Sequence, residues 1–167
     1  IDSATTRDLD QALFVERQNE DFIAYYALAD GAWFVRPGTA LFDEALRRGS
    51  SYYLPGVVVP MLPRALSEGL ISLNPKVDRR ALVFRMHIDA QGRCKKTELL
   101  RARVRSRAKL SFETVQRYYD QPSENHFDPP AIAPSIDALK QLGTLRIREA
   151  AQRDVIRYRR SVNTINS

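Results

Sequence analysis

The stretch Ala81-Leu82-Val83-Phe84-Arg85-Met86-His87-Ile88-Asp89-Ala90-Gln91-Gly92-Arg93-Cys94-Lys95-Lys96-Thr97-Glu98-Leu99-Leu100-Arg101-Ala102-Arg103-Val104-Arg105-Ser106-Arg107 decides how the rest of the chain is read. Side chains of a strand alternate between two faces, and residues 81–89 place Leu82, Phe84, Met86 and Ile88 on one of them. Ala90-Gln91-Gly92 then turns the chain into a second long strand over 94–107. There Leu100, Ala102 and Val104 alternate with Arg101, Arg103, Arg105 and Arg107. The arginine stripe has two readings. It tracks a phosphate backbone, or it is the wet face of an edge strand, where charge discourages aggregation; the second is preferred.

Working upstream, residues 12–17 and 22–29 read as two strands, with Gln18-Asn19-Glu20-Asp21 as their hairpin turn. Asp30-Gly31 signals another turn, and Ala32-Trp33-Phe34-Val35 reads as a short third strand. Thr39 is placed to cap a helix over 40–48 with Leu41, Phe42, Ala45 and Leu46 on its apolar face, and Gly49 ends it. Residues 50–80, with four prolines and two glycines, read as a long loop holding one short helix near 64–68. Downstream, Ser111 caps a helix to about Tyr119, and residues 120–134 form a Pro-rich connector. Ser135 is expected to start a last helix bearing Ile136, Leu139, Leu142 and Leu145. Its cationic residues Arg146, Arg148, Arg153, Arg157, Arg159 and Arg160 are as ambiguous as the stripe.

A chain of 167 residues is read as one domain with room for a core. The formal charge of +6 favours a polyanionic partner. Cys94 stands alone, so neither an intrachain disulfide nor a multi-cysteine zinc site is available, which suits a reducing cytoplasm. His87 and His126 are too few for a His-rich metal site and read as ordinary surface residues. No apolar run is long enough to span a bilayer, so no membrane partner is expected. The absent initiator Met raises the expectation of a piece of a longer protein or of trimmed ends.

The opening Ile1-Asp2-Ser3-Ala4-Thr5-Thr6-Arg7-Asp8-Leu9-Asp10-Gln11-Ala12-Leu13 gathers three carboxylates within nine residues. Asp8 and Asp10 share a face of an extended backbone, and a turn through residues 3–6 can return Asp2 to the same spot. Converging carboxylates repel one another unless a cation joins them, and hard oxygen donors select Mg²⁺, Mn²⁺ or Ca²⁺. Spacing alone favours a solvated loop with three ordinary aspartates. Tyr52-Tyr53-Leu54-Pro55-Gly56 through Pro60-Met61-Leu62-Pro63 likewise admits two readings, a ring presented for base stacking or a packed loop. Cys94 reads as structural, and no Gly-x-Ser-x-Gly or Gly-x-x-x-x-Gly-Lys pattern occurs.

The same segments resemble, in order and spacing, the catalytic (RNB) domain of the ribonuclease II family. The resemblance runs from Ile1-Asp2-Ser3 and Asp8-Leu9-Asp10-Gln11-Ala12-Leu13 through Ala27-Leu28-Ala29-Asp30 and Val35-Arg36-Pro37-Gly38-Thr39. It is strongest at Tyr53-Leu54-Pro55-Gly56 and Pro60-Met61-Leu62-Pro63. It continues through Leu66-Ser67, Ser72-Leu73-Asn74-Pro75, Asp78-Arg79, Arg85-Met86 and Ala108-Lys109-Leu110, and loosens after residue 120. The resemblance implies an α+β fold, a mixed and largely antiparallel sheet with helices packed around it. Residues 1–167 would be the N-terminal portion of such a domain, with its remainder and RNA-binding domains elsewhere in a longer, monomeric parent. It further implies a processive 3′→5′ exoribonuclease that uses Mg²⁺ (or Mn²⁺) to degrade single-stranded RNA to nucleoside 5′-monophosphates. Asp2, Asp8 and Asp10 would belong to the metal site, with Asp8 and Asp10 catalytic and Asp10 the most critical. Tyr53 would stack on bases near the 3′ end.

Two departures bear on activity. The family usually carries a further Asp where this chain has Gln11, whose amide oxygen can ligate a metal but brings no charge. It commonly has Tyr where this chain has Phe112, so a hydroxyl that could bond RNA is missing. A catalytically impaired RNA-binding relative with a decayed metal site is the alternative these departures leave open.

Overall fold

The computed structural model describes residues 1–124, 126–153 and 155. Its centre is a four-stranded sheet in the order β1-β2-β5-β6, from β1 (Gln11–Gln18), β2 (Asp21–Ala29), β5 (Asp78–Ile88) and β6 (Cys94–Arg105). All three pairings are antiparallel. Helix α1 (Ala40–Arg48) and a small hairpin, β3 (Tyr52–Leu54) with β4 (Val57–Val59), lie between β2 and β5 in sequence. Helices α2 (Phe112–Asp120) and α3 (Ala133–Gln152) follow β6. The α+β class is as expected.

Both faces of the sheet bury apolar side chains, because β2 and β5 are its central strands. On one face α3 covers Val15, Phe22, Ala24 and Ile88 with Ala138 and Leu142. The edge strand β1 is tied to this helix, since the Val15 amide donates to Ser135 Oγ at 2.9 Å. Beyond α3 the same face is open. The cross-strand row Leu13, Tyr26, Phe84, Leu99 ends in leucines exposed by 45% and 60%. On the other face Ala27, Ala81 and Val83 pack with Leu73 and Leu9, which draws the 71–73 segment and the opening segment together. A third cluster joins α2 to the start of α3 through Val115, Phe127, Ile132 and Ile136.

The turn between β5 and β6 docks on α3. Gly92 has φ +82, and a Cβ there would lie 2.9 Å from Leu145 Cβ, so only glycine fits this approach. Arg146 donates to the Gly92 carbonyl at 3.0 Å.

Three expectations are corrected. The short strand expected at residues 32–35 is a 3₁₀ turn over Gly31–Trp33. Its amide needs are met locally, with Phe34 and Val35 N–H both donating to Gly31 O, and Trp33 is held under the Arg80 guanidinium, 3.6 Å from the ring centroid. The loop expected over 50–80 contains the β3–β4 hairpin, turned by Gly56 at φ +73, and a π-helical turn Ala65–Leu70. The last helix begins at Ala133, two residues before Ser135, so that the Ser135 hydroxyl is free to serve β1. The ambiguous Arg157, Arg159 and Arg160 lie outside the described residues.

Candidate metal and RNA site

The opening segment has little secondary structure of its own and is held in place by three other parts of the chain. Ser72, 1% exposed, donates its hydroxyl to the Arg7 carbonyl at 2.8 Å and accepts from the Leu9 amide at 3.0 Å. The residue between those two contacts is Asp8. Leu73 N–H donates to Leu9 O at 2.7 Å and continues the clamp. Arg79 fixes the clamping segment in turn, donating to the carbonyls of Ser72 and Gly69. At the start of the chain, Asp2 N–H donates to Leu110 O and Phe112 N–H to Asp2 O, a short bridge to the N-terminus of α2. The Lys109 ammonium donates to the carbonyls of Ala4 and Thr6, closing the turn between them. Finally Ala29 N–H donates to Asp10 O at 2.8 Å and leads the segment into β1.

The acidic side chains sort into two groups. Asp8 Oδ2 accepts the Tyr53 hydroxyl at 2.9 Å. That bond, with some burial and the charges of Asp8 and Asp10, raises the Tyr53 phenol above its ordinary value, so it stays a neutral donor. Of the two, Asp8 bonds the hydroxyl directly and Asp10 acts on it through its charge alone. Asp2 is used within its own turn: Oδ1 accepts from Ser3 N–H and from Thr6 Oγ1 at 3.0 Å. Gln11 Oε1 accepts the Tyr26 hydroxyl on the sheet. Among the described residues, no three His, Cys, Asp or Glu side chains gather tightly enough to hold a metal ion. The structure therefore joins Asp8 to Tyr53, leaves Asp10 exposed two residues on, and engages Asp2 and Gln11 with protein partners.

Two carboxylates still fit Mg²⁺, which usually takes one or two protein carboxylates and completes its shell with water and substrate phosphate oxygens. Beside Asp8 lies an open cleft of about 420 Å³, lined by Thr6, Asp8, Tyr53, Arg64 and Glu68 among others. The Tyr53 ring is 67% exposed at this cleft, and Phe112 is 59% exposed beside Asp2. Both rings are therefore open to solvent, and the packed-loop reading of Tyr53 is not met.

Residues outside the expected set support the site. Ser72, Arg79 and Lys109 stood in the quoted motifs, but nothing in the local sequence of Ser72 and Lys109 pointed to a clamp across 63 or more positions. Asp30, 3% exposed, receives the guanidinium of Arg101 at 3.5 Å and that of Arg80 at 4.0 Å. Asp78 receives Arg105 at 2.6 Å and Arg103 at 3.6 Å. Arg101, Arg103 and Arg105 of the stripe are thus the exposed, charge-matched face of an edge strand, and Arg107 lies beyond its end. His87 lies half-buried near Glu98, at 3.9 Å, and Cys94 is exposed; neither belongs to the site.

The comparisons with known proteins agree with one another. The RNB domain model matches residues 1–164. Ribonuclease R of Mycoplasmopsis pulmonis is 42% identical over 120 residues, 72% of this chain and 17% of that protein. Ribonuclease R of Mycoplasma genitalium is 38% identical over 154 residues, 92% of this chain and 21% of that protein. The solved structure of the latter protein in complex with double-stranded RNA superposes with a TM-score of 0.85 at 35% identity, covering 91% of this chain and 27% of that one. Yeast Ssd1, described as a pseudonuclease, shares the fold with a TM-score of 0.68 at 17% identity. The chain spans about a fifth of the length of these ribonuclease R relatives. A sheet held against an acidic opening segment, the Tyr53 hairpin beside it and a match across nearly every residue lead to one assignment: the chain belongs to the RNB domain family.

Proposed function

We propose that this chain is the N-terminal portion of an RNB catalytic domain, in a protein that degrades single-stranded RNA from the 3′ end in a Mg²⁺-dependent, processive reaction. The products would be nucleoside 5′-monophosphates. The observation that carries the reading is Asp8, two residues before the exposed Asp10, aimed at an open cleft by the Ser72 clamp and the Tyr53 hydroxyl, in a chain of this family. Support for an RNA substrate comes from the relatives, one of which was solved with double-stranded and with ribose-methylated single-stranded RNA. The open row Leu13, Tyr26, Phe84 and Leu99 fits a surface that further parts of such a domain would cover.

Asp8 and Asp10 would hold the metal, with Asp2 and Gln11 close in sequence but bound to Thr6 and Tyr26. A Mg²⁺ ion bound there supplies an activated water and charge stabilisation for the leaving 3′ oxygen. The chain's own residues do the positioning. Ser72 fixes the backbone on both sides of Asp8, so the carboxylate is aimed before substrate arrives. Tyr53 offers its ring face to a terminal base while its hydroxyl holds Asp8. Phe112 offers a second apolar face without a hydroxyl to bond the RNA.

Incubation of the protein with 5′-labelled single-stranded RNA and Mg²⁺ tests this. A ladder shortened from the 3′ end is expected, and its loss in Asp10→Asn. Shortening that survives Asp10→Asn would refute the assignment of Asp10. RNA binding with no cleavage at any Mg²⁺ or Mn²⁺ concentration would instead identify a non-catalytic RNA-binding relative.

A further inference from the structure

At the far end of β1 from the acidic segment lies a second open groove, of about 520 Å³, between the β1–β2 turn and α3. Its floor is Phe22 and its walls carry Arg17, Lys140, Thr144 and Arg148. Lys140, Thr144 and Arg148 fall at i, i+4 and i+8 of α3, one stripe of the helix directed along the groove. Arg17 comes from the opposite wall, its guanidinium 5.4 Å from the Phe22 ring centroid and bonded to Gln141 Oε1 at 3.1 Å. Lys140 sits over the Tyr119 ring at 4.5 Å.

What marks these three cations is that they share one groove without acidic partners. Many other cations are matched: Arg47 and Arg48 by Glu44, Arg93 and Lys95 by Asp89, Arg101 by Asp30, Arg103 and Arg105 by Asp78, Arg146 and Arg153 by Glu149. Arg17, Lys140 and Arg148 form no ion pair among the described residues, and one carboxylate, Glu20, lines the groove with them. Contacts to Gln141, Phe22 and Tyr119 orient Arg17 and Lys140 and leave their charge uncompensated. A concave surface with unmatched positive charge on both walls focuses potential onto a linear polyanion.

We propose that this groove binds the phosphodiester backbone of RNA, as a contact separate from the Asp8–Asp10 cleft and indifferent to base sequence. Arg17, Lys140 and Arg148 each neutralise a phosphate, while the Thr144 hydroxyl stays bonded to the Lys140 carbonyl of its own helix. That the polyanion is RNA rests on the function proposed above; the groove itself does not depend on cleavage.

The test measures binding of a fluorescein-labelled single-stranded RNA to the whole protein in EDTA, where the RNA stays intact, across a salt series. The triple variant Arg17→Ala, Lys140→Ala, Arg148→Ala should bind about ten-fold or more weakly at moderate salt, with the slope of log Kd against log salt shallower by about 2. The charge-conserving pair Arg17→Lys, Arg148→Lys should keep the slope. Glu20→Lys, which needs no side chain removed from the walls, should tighten binding and steepen the slope. An unchanged slope in the triple variant together with no gain in Glu20→Lys overturns the proposal. So does a groove variant that alters only self-association in sedimentation, since the surface would then serve protein contacts. Cleavage assays report on the other site: RNA shortening with an unmoved slope leaves the catalytic reading standing and this one refuted, and the converse result separates them the other way.

Discussion

Two carboxylate-bearing segments of this chain are built in opposite ways. At the β5–β6 turn, Asp89 is 7% exposed and its oxygens are fully used. Oδ1 accepts the amides of Gln91 and Arg93, and Oδ2 meets the Arg93 guanidinium at 2.9 Å and the Lys95 ammonium at 3.2 Å. In the opening segment the carboxylate of Asp8 has the Tyr53 hydroxyl as its hydrogen-bond partner, and Asp10 is exposed. There the backbone is what is tied down, by Ser72, Lys109 and β2. A saturated carboxylate holds a fold together. A fixed backbone with spare carboxylate oxygens is a site waiting for a ligand from outside the chain.

The largest expected effect breaks this contrast most directly. Asp10→Asn should lower RNA cleavage by roughly 10²-fold or more, the scale of losing one preorganised electrostatic contact, with the melting temperature unchanged. Asp89→Asn should do the reverse, lowering the melting temperature while folded molecules cleave normally. Parallel melting curves and cleavage rates read both, and a swapped pattern would reverse the roles given to the two segments. Next, Ser72→Ala leaves the buried Leu9 amide and the Arg7 carbonyl without their partner, a cost of about 1–3 kcal/mol in denaturant unfolding. It should also weaken cleavage, because Asp8 lies between the two lost bonds. Normal activity in a destabilised Ser72→Ala would show that Asp8 does not need the clamp.

The pH response sharpens the comparison further. Burial pushes the Asp89 carboxyl up, but the Arg93 and Gln91 amides and the Lys95 and Arg93 cations outweigh it and hold it at about 2, below its ordinary 3.8. The unfolded chain then binds the proton more readily, so this contribution is complete above 3.8 and is lost as the pH falls toward about 2. Unfolding measured over that window should be less pH-dependent in Asp89→Asn than in the parent. The smallest effect is expected from Tyr53→Phe, which keeps the ring and removes the bond to Asp8. RNA affinity should stay within about three-fold, whereas Tyr53→Ala should lose about 1–3 kcal/mol of stacking. Equal losses in the two variants would move the role of Tyr53 from its ring to its hydroxyl.

Periodicity made the sheet legible. The alternation in β5 and β6, the hairpin of β1 with β2, and the caps Thr39 and Ser111 all express physics confined to a few neighbouring residues. What local pattern hid was the 50–80 region, where three-residue strands with every side chain exposed carry no alternation signal. The same limit hid the Gly31–Trp33 turn, whose apolar run matched a strand until Arg80, from β5, covered Trp33. In the site, spacing put Asp8 and Asp10 on one face and let a turn return Asp2 to it. Only the fold shows that Asp8 meets Tyr53 while Asp2 spends its carboxylate on Ser3 and Thr6. The clamp by Ser72 depends on partners over 60 positions away, and no window of sequence contains both.

Strand β1 runs from Gln11, beside the acidic segment, to the Arg17 wall of the groove, six residue steps of roughly 3.3 Å or about 20 Å in all. Its ladder to β2 is unbroken, so that interval is fixed. A strand of this kind works as a ruler with a negative mark at one end and a positive mark at the other. Under the two proposals above, an RNA whose 3′ end lay at the first mark would need enough nucleotides behind it to reach the second, and fragments shorter than the ruler would lose that hold. Length would then be sensed by the spacing of two charges, whatever the sequence of the strand.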